Sequence, residues 1–325
     1  PPERVLADDF LVSRTTVRQA IEYLEKAGIV EACPSTRGLR RILKKSPQTS
    51  KKSKQGTVVF LTPSVAESPR ILEQLSVLRE LLGVAGIQVV VKENARITTL
   101  KSPLATVREL SSRYPESVWI LHKMSKRVQE AALAAKLPAI VFGSSFQNSG
   151  LPAINCDFRA IARHAAGRCL AAGYRHLALI VHRTPLAGDE EIMETLEEEL
   201  RRCEDARLLV MKHDFNRLRL IDALDRTFTQ AGEQGPEVLL IVNQHHLLTS
   251  LPHLLSRGLR IPQDISLIYL NNDPAAERLS PLPDRYDLGD RLLRKLASAV
   301  VARLSAEIPS SVKLLPREIH GETFQ

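Results

Sequence analysis

The sequence predicts an α/β protein in which a small N-terminal module precedes two lobes built on parallel sheets. Its 325 residues, 44% of them hydrophobic, are enough for two or three compact units. Beyond Gly56, apolar strands alternate with amphipathic helices, which is typical of a parallel sheet covered by helices. Residues 1–56 hold 12 lysines and arginines against 6 acidic residues, so a basic module comes first.

The uneven charge indicates the kind of partner. Of the net charge of +8, most lies in residues 1–56, because the rest of the chain has 33 basic residues against 31 acidic ones. Cations concentrated in a small module favour nucleic acid, since neutralising phosphates releases counterions. The sequence contains no membrane-spanning segment, because no apolar run approaches the roughly 18 residues needed to cross a bilayer.

The segment from Ser13 to Arg18, Ser-Arg-Thr-Thr-Val-Arg, predicts the start of a helix that ends near Gly28. Ser13 is a favoured N-cap, and glycine commonly follows the last turn of a helix. One apolar stripe runs along this helix through Val17, Ala20, Ile21, Leu24 and Ala27. The polar side of the first turn can then face phosphate, although a solvated helix with ordinary surface arginines is the alternative.

The flanking segments favour a DNA-reading module. Residues 3–10 form a short amphipathic helix, and two residues separate it from Ser13, which is helix-turn-helix spacing. Residues 29–33 and 39–43 read as two strands around a turn at 34–38. This hairpin is a basic wing that carries Arg37, Arg40 and Arg41.

Residues 1 to about 43 therefore resemble the winged helix-turn-helix of the GntR family of bacterial transcription regulators. By that resemblance the sequence is expected to start partway into the module, after the family's first helix. Pro2 replaces the usual serine, and the wing lacks a second glycine. The resemblance implies operator DNA as partner, with contacts from Arg4, Ser13, Arg14, Thr15, Thr16, Arg18, Arg37 and Gly38.

Residues 44–56 read as a flexible basic linker, because they are polar and lack apolar periodicity. Its lysines either contact backbone phosphate or are simply solvated.

Two α/β rounds follow the linker. We predict strands over 57–62, 87–92, 117–121, 139–142, 177–181, 207–211, 238–242, 266–270 and 312–319. We predict helices over 69–84, 102–113, 126–135, 158–172, 190–203, 217–231, 246–257 and 289–306. Residues 271–286 are irregular and form a crossover. Lobe one is expected at about 57–155 and 286–308, and lobe two at about 156–285 and 309–325.

Three short stretches carry a second resemblance. They are Asp157 with residues 172–180, residues 256–266 (Ser-Arg-Gly-Leu-Arg-Ile-Pro-Gln-Asp-Ile-Ser), and Leu279-Ser280-Pro281. They resemble the effector domain of the LacI/GalR family, which has the periplasmic-binding-protein fold, over residues 57–325. The two resemblances together imply a cytoplasmic, dimeric, sugar-responsive repressor. A stripe on the first helix of lobe one is a candidate dimer face: Ile71, Leu72, Leu75, Leu78 and Leu82.

In such a fold the effector lies between the lobes, at the carboxyl ends of the strands. The candidate ligand residues there are Ser64, Lys123, Asp157, Arg183, Asn243, Gln244, Asn271 and Asn272. Each is alternatively a solvated loop residue or a backbone cap. The family commonly has Asn-Asp at 243–244 and Asp-Asp at 271–272, so three carboxylates have become amides. Pro185 stands near the place of a sugar-binding arginine, with Arg183 as a stand-in. These changes weaken sugar binding or redirect it.

Nothing in the sequence predicts catalysis, a cofactor or a metal site. It contains no nucleophile elbow, phosphate-binding loop or dinucleotide motif. We expect the adjacent His245 and His246 to point apart, which disfavours metal, and His253 to lie on a helix surface or cap. The four cysteines lack paired spacing and are expected to be reduced. Two alternatives stay open: a DNA-binding dimer that has lost its effector, and a solute-binding or enzymatic α/β protein.

Overall fold

A computed structural model divides the chain into two compact units, residues 1–54 and 55–325. The structure describes residues 13–26, 30–35, 38–43, 56–65, 69–146, 150–229 and 235–325. In the first unit, helix α1 (Arg14–Lys26) precedes strands β1 (Val30–Ser35) and β2 (Gly38–Leu43). The two strands form an antiparallel hairpin in which Ser35 pairs with Gly38. The predicted helix over 3–10 and the linker over 44–55 lie outside the described residues.

Lobe one of the second unit is built on a six-stranded parallel sheet in the order β4-β3-β5-β6-β7-β13. Its strands are β3 (Thr57–Thr62), β4 (Gln88–Glu93), β5 (Val118–His122), β6 (Ala139–Phe142), β7 (Ala153–Cys156) and β13 (Val312–Leu314). Its helices are α2 (Pro69–Gly83), α3 (Leu104–Arg113), α4 (Lys126–Ala134) and α9 (Arg291–Leu304).

Lobe two has a second six-stranded sheet in the order β9-β8-β10-β11-β12-β14, parallel except for β14. Its strands are β8 (His176–His182), β9 (Arg207–His213), β10 (Val238–Ile241), β11 (Ser266–Tyr269), β12 (Asp284–Asp287) and β14 (Arg317–Ile319). Its helices are α5 (Phe158–Ala171), α6 (Ala187–Leu200), α7 (Arg217–Leu224) and α8 (Gln244–Ser256).

Helices cover both faces of each sheet, which is why the strands read as continuous apolar runs. On β3, Val58 and Phe60 belong to one buried cluster, whereas Val59 and Leu61 belong to another on the opposite face. Trp119 of β5 lies in the second cluster and is 1% exposed, so it is a core residue. None of the described helices is long and apolar enough to span a bilayer.

Two strands were not predicted, β7 and β12. Each is only four residues long, and each mixes apolar with polar side chains, as Ala-Ile-Asn-Cys and Asp-Arg-Tyr-Asp. Pairing with neighbouring strands, rather than an apolar run, makes them strands. Residues 271–286 therefore do not form an entirely irregular crossover, and lobe two extends through Asp287 instead of ending at 285.

The single strand predicted over 312–319 is two strands on different sheets. β13 pairs with β7 in lobe one, and β14 pairs with β12 in lobe two. Leu315 and Pro316 separate them, and Pro316 has no amide proton with which to continue a ladder. Placing all of 309–325 in lobe two was therefore wrong for β13. The chain crosses between the lobes three times: after β7, after β12 and after β13.

Two helix boundaries also differ from prediction. α6 begins at Ala187 rather than 190, because the Asp189 carboxylate accepts a hydrogen bond from the Leu186 amide, and it ends at Leu200. α7 ends at Leu224, and a π-helical turn follows at Asp225–Thr229. The Asp225 carboxylate in that turn binds His253 and Arg257 of the α8 region, so His253 is a hydrogen-bond partner of α7's following turn.

The predicted dimer stripe on α2 is mainly core. Ile71, Leu75, Leu78 and Leu82 are at most 3% exposed, and they pack in the first buried cluster. Leu72 is the exception, with 57% of its surface exposed.

Candidate functional site

The first turn of α1 presents polar side chains to solvent. The Ser13 hydroxyl accepts a hydrogen bond from the Thr16 amide at 3.1 Å and lies 2.8 Å from the Thr16 hydroxyl. This N-cap starts the helix at Arg14. Arg14, Thr15 and Arg18 are exposed, whereas Val17 is 7% exposed. The helix therefore has a polar, cationic face at its positive dipole end, where phosphate is favoured.

The rest of the predicted DNA-contacting set is only partly described. Gly38 is the first residue of β2 and pairs with Ser35 of β1. Arg4 and Arg37 lie outside the described residues. On α1, Ala20 of the predicted apolar stripe is exposed and Ile21 is half-buried. At Ala20 the stripe that faces the core is thus narrower than predicted, whereas Ala27 lies outside the described residues.

The predicted ligand residues gather at two sheet edges, because parallel strands end on the same side of their sheet. In lobe one, Ser64 follows β3 and Lys123 follows β5, and both are half-buried. Lys123 adopts a left-handed backbone conformation with φ of 52°, which is uncommon for a residue with a side chain. In lobe two, the strand ends carry Arg183, Asn243, Gln244, Asn271 and Asn272. Asp157 directly follows β7, at the first crossing between the lobes.

Four of these residues already use a side-chain oxygen within the protein. Asp157 caps α5 by accepting from the Ala160 amide at 3.0 Å. Asn243 caps α8 by accepting from the His245 amide at 3.1 Å. The remaining two lie beside β12: Asn271 accepts from the Asn272 amide, and Asn272 accepts from Arg285 Nε at 3.1 Å.

Gln244 and Arg183 differ from those four. Gln244 is 7% exposed, and its Oε1 has no hydrogen-bond partner within the described part of the chain. A buried carbonyl oxygen of this kind normally finds a donor, so it is available to a ligand. Arg183 is exposed and lies 3.8 Å from the Asp214 carboxylate. The pKa of Asp214 is lowered, first by a hydrogen bond from the Asn216 amide and also by the charge of Arg183.

Phe215 was missed by the sequence analysis. It follows β9, is 42% exposed, and lies against the rings of His182, His245 and His246 at centroid distances of 4.7, 4.7 and 5.3 Å. We expected His245 and His246 to point apart, but both rings lie against the phenyl ring of Phe215. The local pattern His-Asp-Phe-Asn at the end of a predicted strand was the available signal.

Two acids of lobe two with raised pKa values were also missed, the partly buried Asp189 and the buried Asp273. Burial raises the pKa of Asp189 and of Asp273. In both cases the positive charge of Lys123 from lobe one opposes that rise. A lobe-one cation thus lies within electrostatic range of two lobe-two carboxyls across the crevice.

The two lobes also meet directly at Gly188, the second residue of α6. A Cβ atom there would lie 2.6 Å from the Phe158 ring and 3.3 Å from the hydroxyl of Ser144. Ser144 follows β6 of lobe one, and its hydroxyl accepts a hydrogen bond from Asn155 of β7. The crevice is therefore narrow at this point, and glycine is required for the approach.

Comparison with known families gives matches at both ends of the chain. Residues 1–36 match the family described as bacterial regulatory proteins, gntR family. Residues 166–323 match the periplasmic binding protein-like domain.

The chain joins a GntR-family domain to a periplasmic-binding-protein-like domain.

One relative of the chain carries the name of a control protein. Catabolite control protein A of Staphylococcus aureus is 20% identical over 205 residues, which cover 57% of this chain and 58% of that protein. The chain thus matches a little over half the length of this relative.

Two solved structures share the fold of the second unit. A LacI family transcriptional regulator from Enterococcus faecium, with bound ribose, has a TM-score of 0.67 at 16% identity and covers 82% of this chain and 98% of its own. The transcription regulator GntR from Chromobacterium violaceum has the same score, identity and coverage. The match to the periplasmic binding protein-like domain and the two structural likenesses confirm the predicted two-lobed α/β fold.

Proposed function

We propose that this chain is a cytoplasmic bacterial transcription regulator, a repressor, whose affinity for operator DNA changes when a small polar effector binds between its lobes. The observation that carries the proposal is the joining of a GntR-family domain, with an exposed cationic first turn on α1, to a two-lobed domain with a crevice at its strand ends. A ligand acts through its different affinities for two states, so closure of the lobes would be the coupled change.

The DNA side of the proposal rests on Arg14, Thr15 and Arg18, with Arg4, Ser13, Thr16, Arg37 and Gly38 as further contacts. Positive side chains at the start of a recognition helix position it on phosphate and on base edges.

The test is fluorescence anisotropy with an operator selected from random duplexes. Replacing Arg14 and Arg18 by alanine should lower affinity at least about tenfold and reduce the salt slope by about 2, because each lost phosphate contact removes about one unit. Arg294→Ala, an exposed arginine of α9, is the matched control. Normal operator binding by the double variant would instead favour a solute-binding or enzymatic protein.

The effector side rests on the edge of lobe two. Phe215 offers an exposed apolar ring, and Gln244 offers a buried acceptor without a partner among the described residues. A molecule with one apolar face and with hydroxyl donors fits both groups, since aromatic faces pack on apolar faces while buried polar groups need partners. The ribose bound to the Enterococcus faecium regulator is a molecule of that kind. We therefore propose a sugar or a related polyol.

A thermal-shift screen against sugars, sugar acids and sugar phosphates tests the effector. A binding sugar should raise the melting temperature, and Phe215→Ala should weaken its binding about tenfold, the equivalent of one aromatic contact. Leu218→Ala, at a nearby exposed apolar residue, should bind as the wild type does.

The second candidate function is a ligand-independent DNA-binding dimer. It is favoured by the side chains of Asp157, Asn243, Asn271 and Asn272, whose oxygens are engaged within the protein. A shift with any member of the screen that disappears in Phe215→Ala would exclude it. A uniformly negative screen would favour it.

A further inference from the structure

A cluster of carboxylates and imidazoles lies where α5 packs against β12 and β14 of lobe two. Asp284 of β12, Glu318 of β14 and His320 just beyond β14 bring one ligand atom each to within 4.8 Å of one another. Asp284 is 2% exposed, Glu318 is 18% exposed and His320 is 77% exposed, so the cluster is buried at one end and open at the other. Asp284 is the first residue of a parallel strand, whereas the crevice lies at the strands' carboxyl ends.

Arg168 of α5 divides the carboxylate oxygens into two sets. Its Nη2 lies 3.0 Å from Asp284 Oδ1, and its Nη1 pairs with Glu318 Oε1. The second oxygen of Asp284, Oδ2, is buried and has no hydrogen-bond partner among the residues that the structure describes. An unpartnered buried carboxylate oxygen is costly and indicates a partner that the protein itself does not provide.

Two imidazoles face the second oxygen of Glu318. His164 Nε2 lies 3.7 Å from Glu318 Oε2, and His320 Nε2 lies 3.8 Å from the same atom. Bonds of about 2.1 Å in a tetrahedral site separate neighbouring ligand atoms by roughly 3.4 Å. Both nitrogens lie within a few tenths of an ångström of that separation from Glu318 Oε2. The ligand atoms of Asp284, Glu318 and His320 lie up to 4.8 Å apart and have to close around the ion, and His164 has to move toward them from its place beside Glu318.

Contact with Tyr286 fixes the orientation of the His164 ring. The hydroxyl of Tyr286 lies 2.9 Å from His164 Nδ1, and the two rings meet edge to face. With Nδ1 engaged, Nε2 is the nitrogen presented to Glu318. Metal-binding histidines are typically held in this way, by a hydrogen bond to the nitrogen that does not bind the ion.

We propose that Asp284, Glu318, His320 and His164 bind a divalent transition-metal ion of the Zn²⁺ class. Mixed imidazole and carboxylate donors suit such an ion, whereas Mg²⁺ and Ca²⁺ prefer oxygen alone. Arg168 offsets one of the two carboxylate charges, so one net negative charge and two imidazoles receive the ion. Arg168 then acts as a positioning residue that holds both carboxylates. This site departs from the expectation, drawn from sequence, of no metal.

Titration calorimetry of the full chain with ZnCl₂ tests the site. We expect one Zn²⁺ per chain, no comparable binding of Mg²⁺, and a visible absorption spectrum of a four-coordinate site with Co²⁺. His320→Ala should weaken Zn²⁺ binding at least about tenfold. Because the His320 side chain is mostly exposed, its replacement by alanine should leave the folding of the core unchanged. His176→Ala, at the start of β8, is the matched histidine control and should bind as the wild type does.

A second variant separates orientation from structure. Tyr286→Phe keeps all four ligands, and its melting temperature without metal reports any structural damage separately. We expect Zn²⁺ affinity about tenfold lower, the lower end of the range for lost supporting hydrogen bonds. Absence of Zn²⁺ binding by the wild type, or equal affinity in the wild type and His320→Ala, would overturn the proposal and assign any heat to adventitious surface histidines.

Discussion

At the scale of single residues, His122 shows how burial sets the chemistry of the crevice. Its Nδ1 lies 3.0 Å from the Thr62 hydroxyl, and its ring lies 5.5 Å from the rings of both Phe60 and Phe142. Burial, with a smaller contribution from the charge of Lys123, lowers its pKa to about 3. His122 is therefore a neutral hydrogen-bonding group at neutral pH, and it does not attract an anionic ligand.

The lowered pKa of His122 predicts a loss of stability in acid. Between pH 6.5 and about 3 the unfolded chain binds a proton that the folded chain does not bind, so stability falls as the pH falls. From pH 6.5 to 4.5 the wild type should lose about 2 kcal/mol more than His122→Asn, since each pKa unit is worth about 1.4 kcal/mol. Urea unfolding at several pH values measures this. Parallel curves for the two proteins would contradict it.

Asp157 was predicted to bind ligand, whereas the structure uses it as the N-cap of α5. Asp157→Ala should therefore destabilise the protein by about 1 kcal/mol, and Asp157→Asn, which can still cap, should be close to the wild type. Thermal or urea unfolding of both variants checks this. A fully stable alanine variant would show that the cap contributes nothing.

At the scale of elements, the C-terminal segment is held by contacts that only a glycine allows. A Cβ atom on Gly321 would lie 2.2 Å from the carbonyl oxygen of Leu282 and 2.6 Å from the amide of Asp284. The segment continues with Thr323, which is 0% exposed and whose hydroxyl binds Leu267 O and the Asp284 amide. The ends of β11 and β12 are thus tied together by residues after β14.

Gly321→Ala should consequently destabilise the protein by about 1–3 kcal/mol or more, because the clash is with backbone and cannot be relieved by a rotamer change. Gly83→Ala is the matched control: it ends α2, and a Cβ there meets nothing within 4 Å. That control should be neutral or stabilising by up to about 1 kcal/mol. Equal melting temperatures for the two variants would refute the argument.

Long apolar elements could be predicted from sequence, and short mixed ones could not. β3 and β5 are nearly all buried on both faces, so their apolar runs identify them. β7 and β12 depend on partners distant in sequence, which composition does not reveal. Phe215 gave a local signal, but its three histidine neighbours come from two other strand ends, those of β8 and β10. The pairing of Asn272 with Arg285 likewise required the fold.

At the scale of the whole molecule, the assembly is predicted to be a homodimer that places two copies of α1 on a roughly palindromic operator. Four of the five members of the predicted dimer stripe on α2 are core residues, so only Leu72 of that stripe is available to a dimer face. Size-exclusion chromatography with light scattering should give twice the mass of one chain, 36.2 kDa. A monomer at micromolar concentration would rule out this assembly.

Three crossings between the lobes favour bending over sliding as the motion of the second unit. Asp157 at the first crossing donates its amide to Leu314 O of the third, at 2.9 Å, so two of the connecting segments are bonded to each other. At the second, Arg70 of α2 lies 3.6 Å from the Asp287 carboxylate. Hinges of this kind absorb rotation in a few residues at the ends of elements.

The division of the last strand between two sheets has a consequence for biosynthesis. β13 covers the edge of β7 and β14 covers the edge of β12, so both sheets lack an edge strand until the last part of this segment leaves the ribosome. During that interval two unpaired strand edges are open to other nascent chains, and such edges promote aggregation. Chains that are truncated before residue 312 lack an edge strand in both sheets, and we therefore expect them to depend on chaperones.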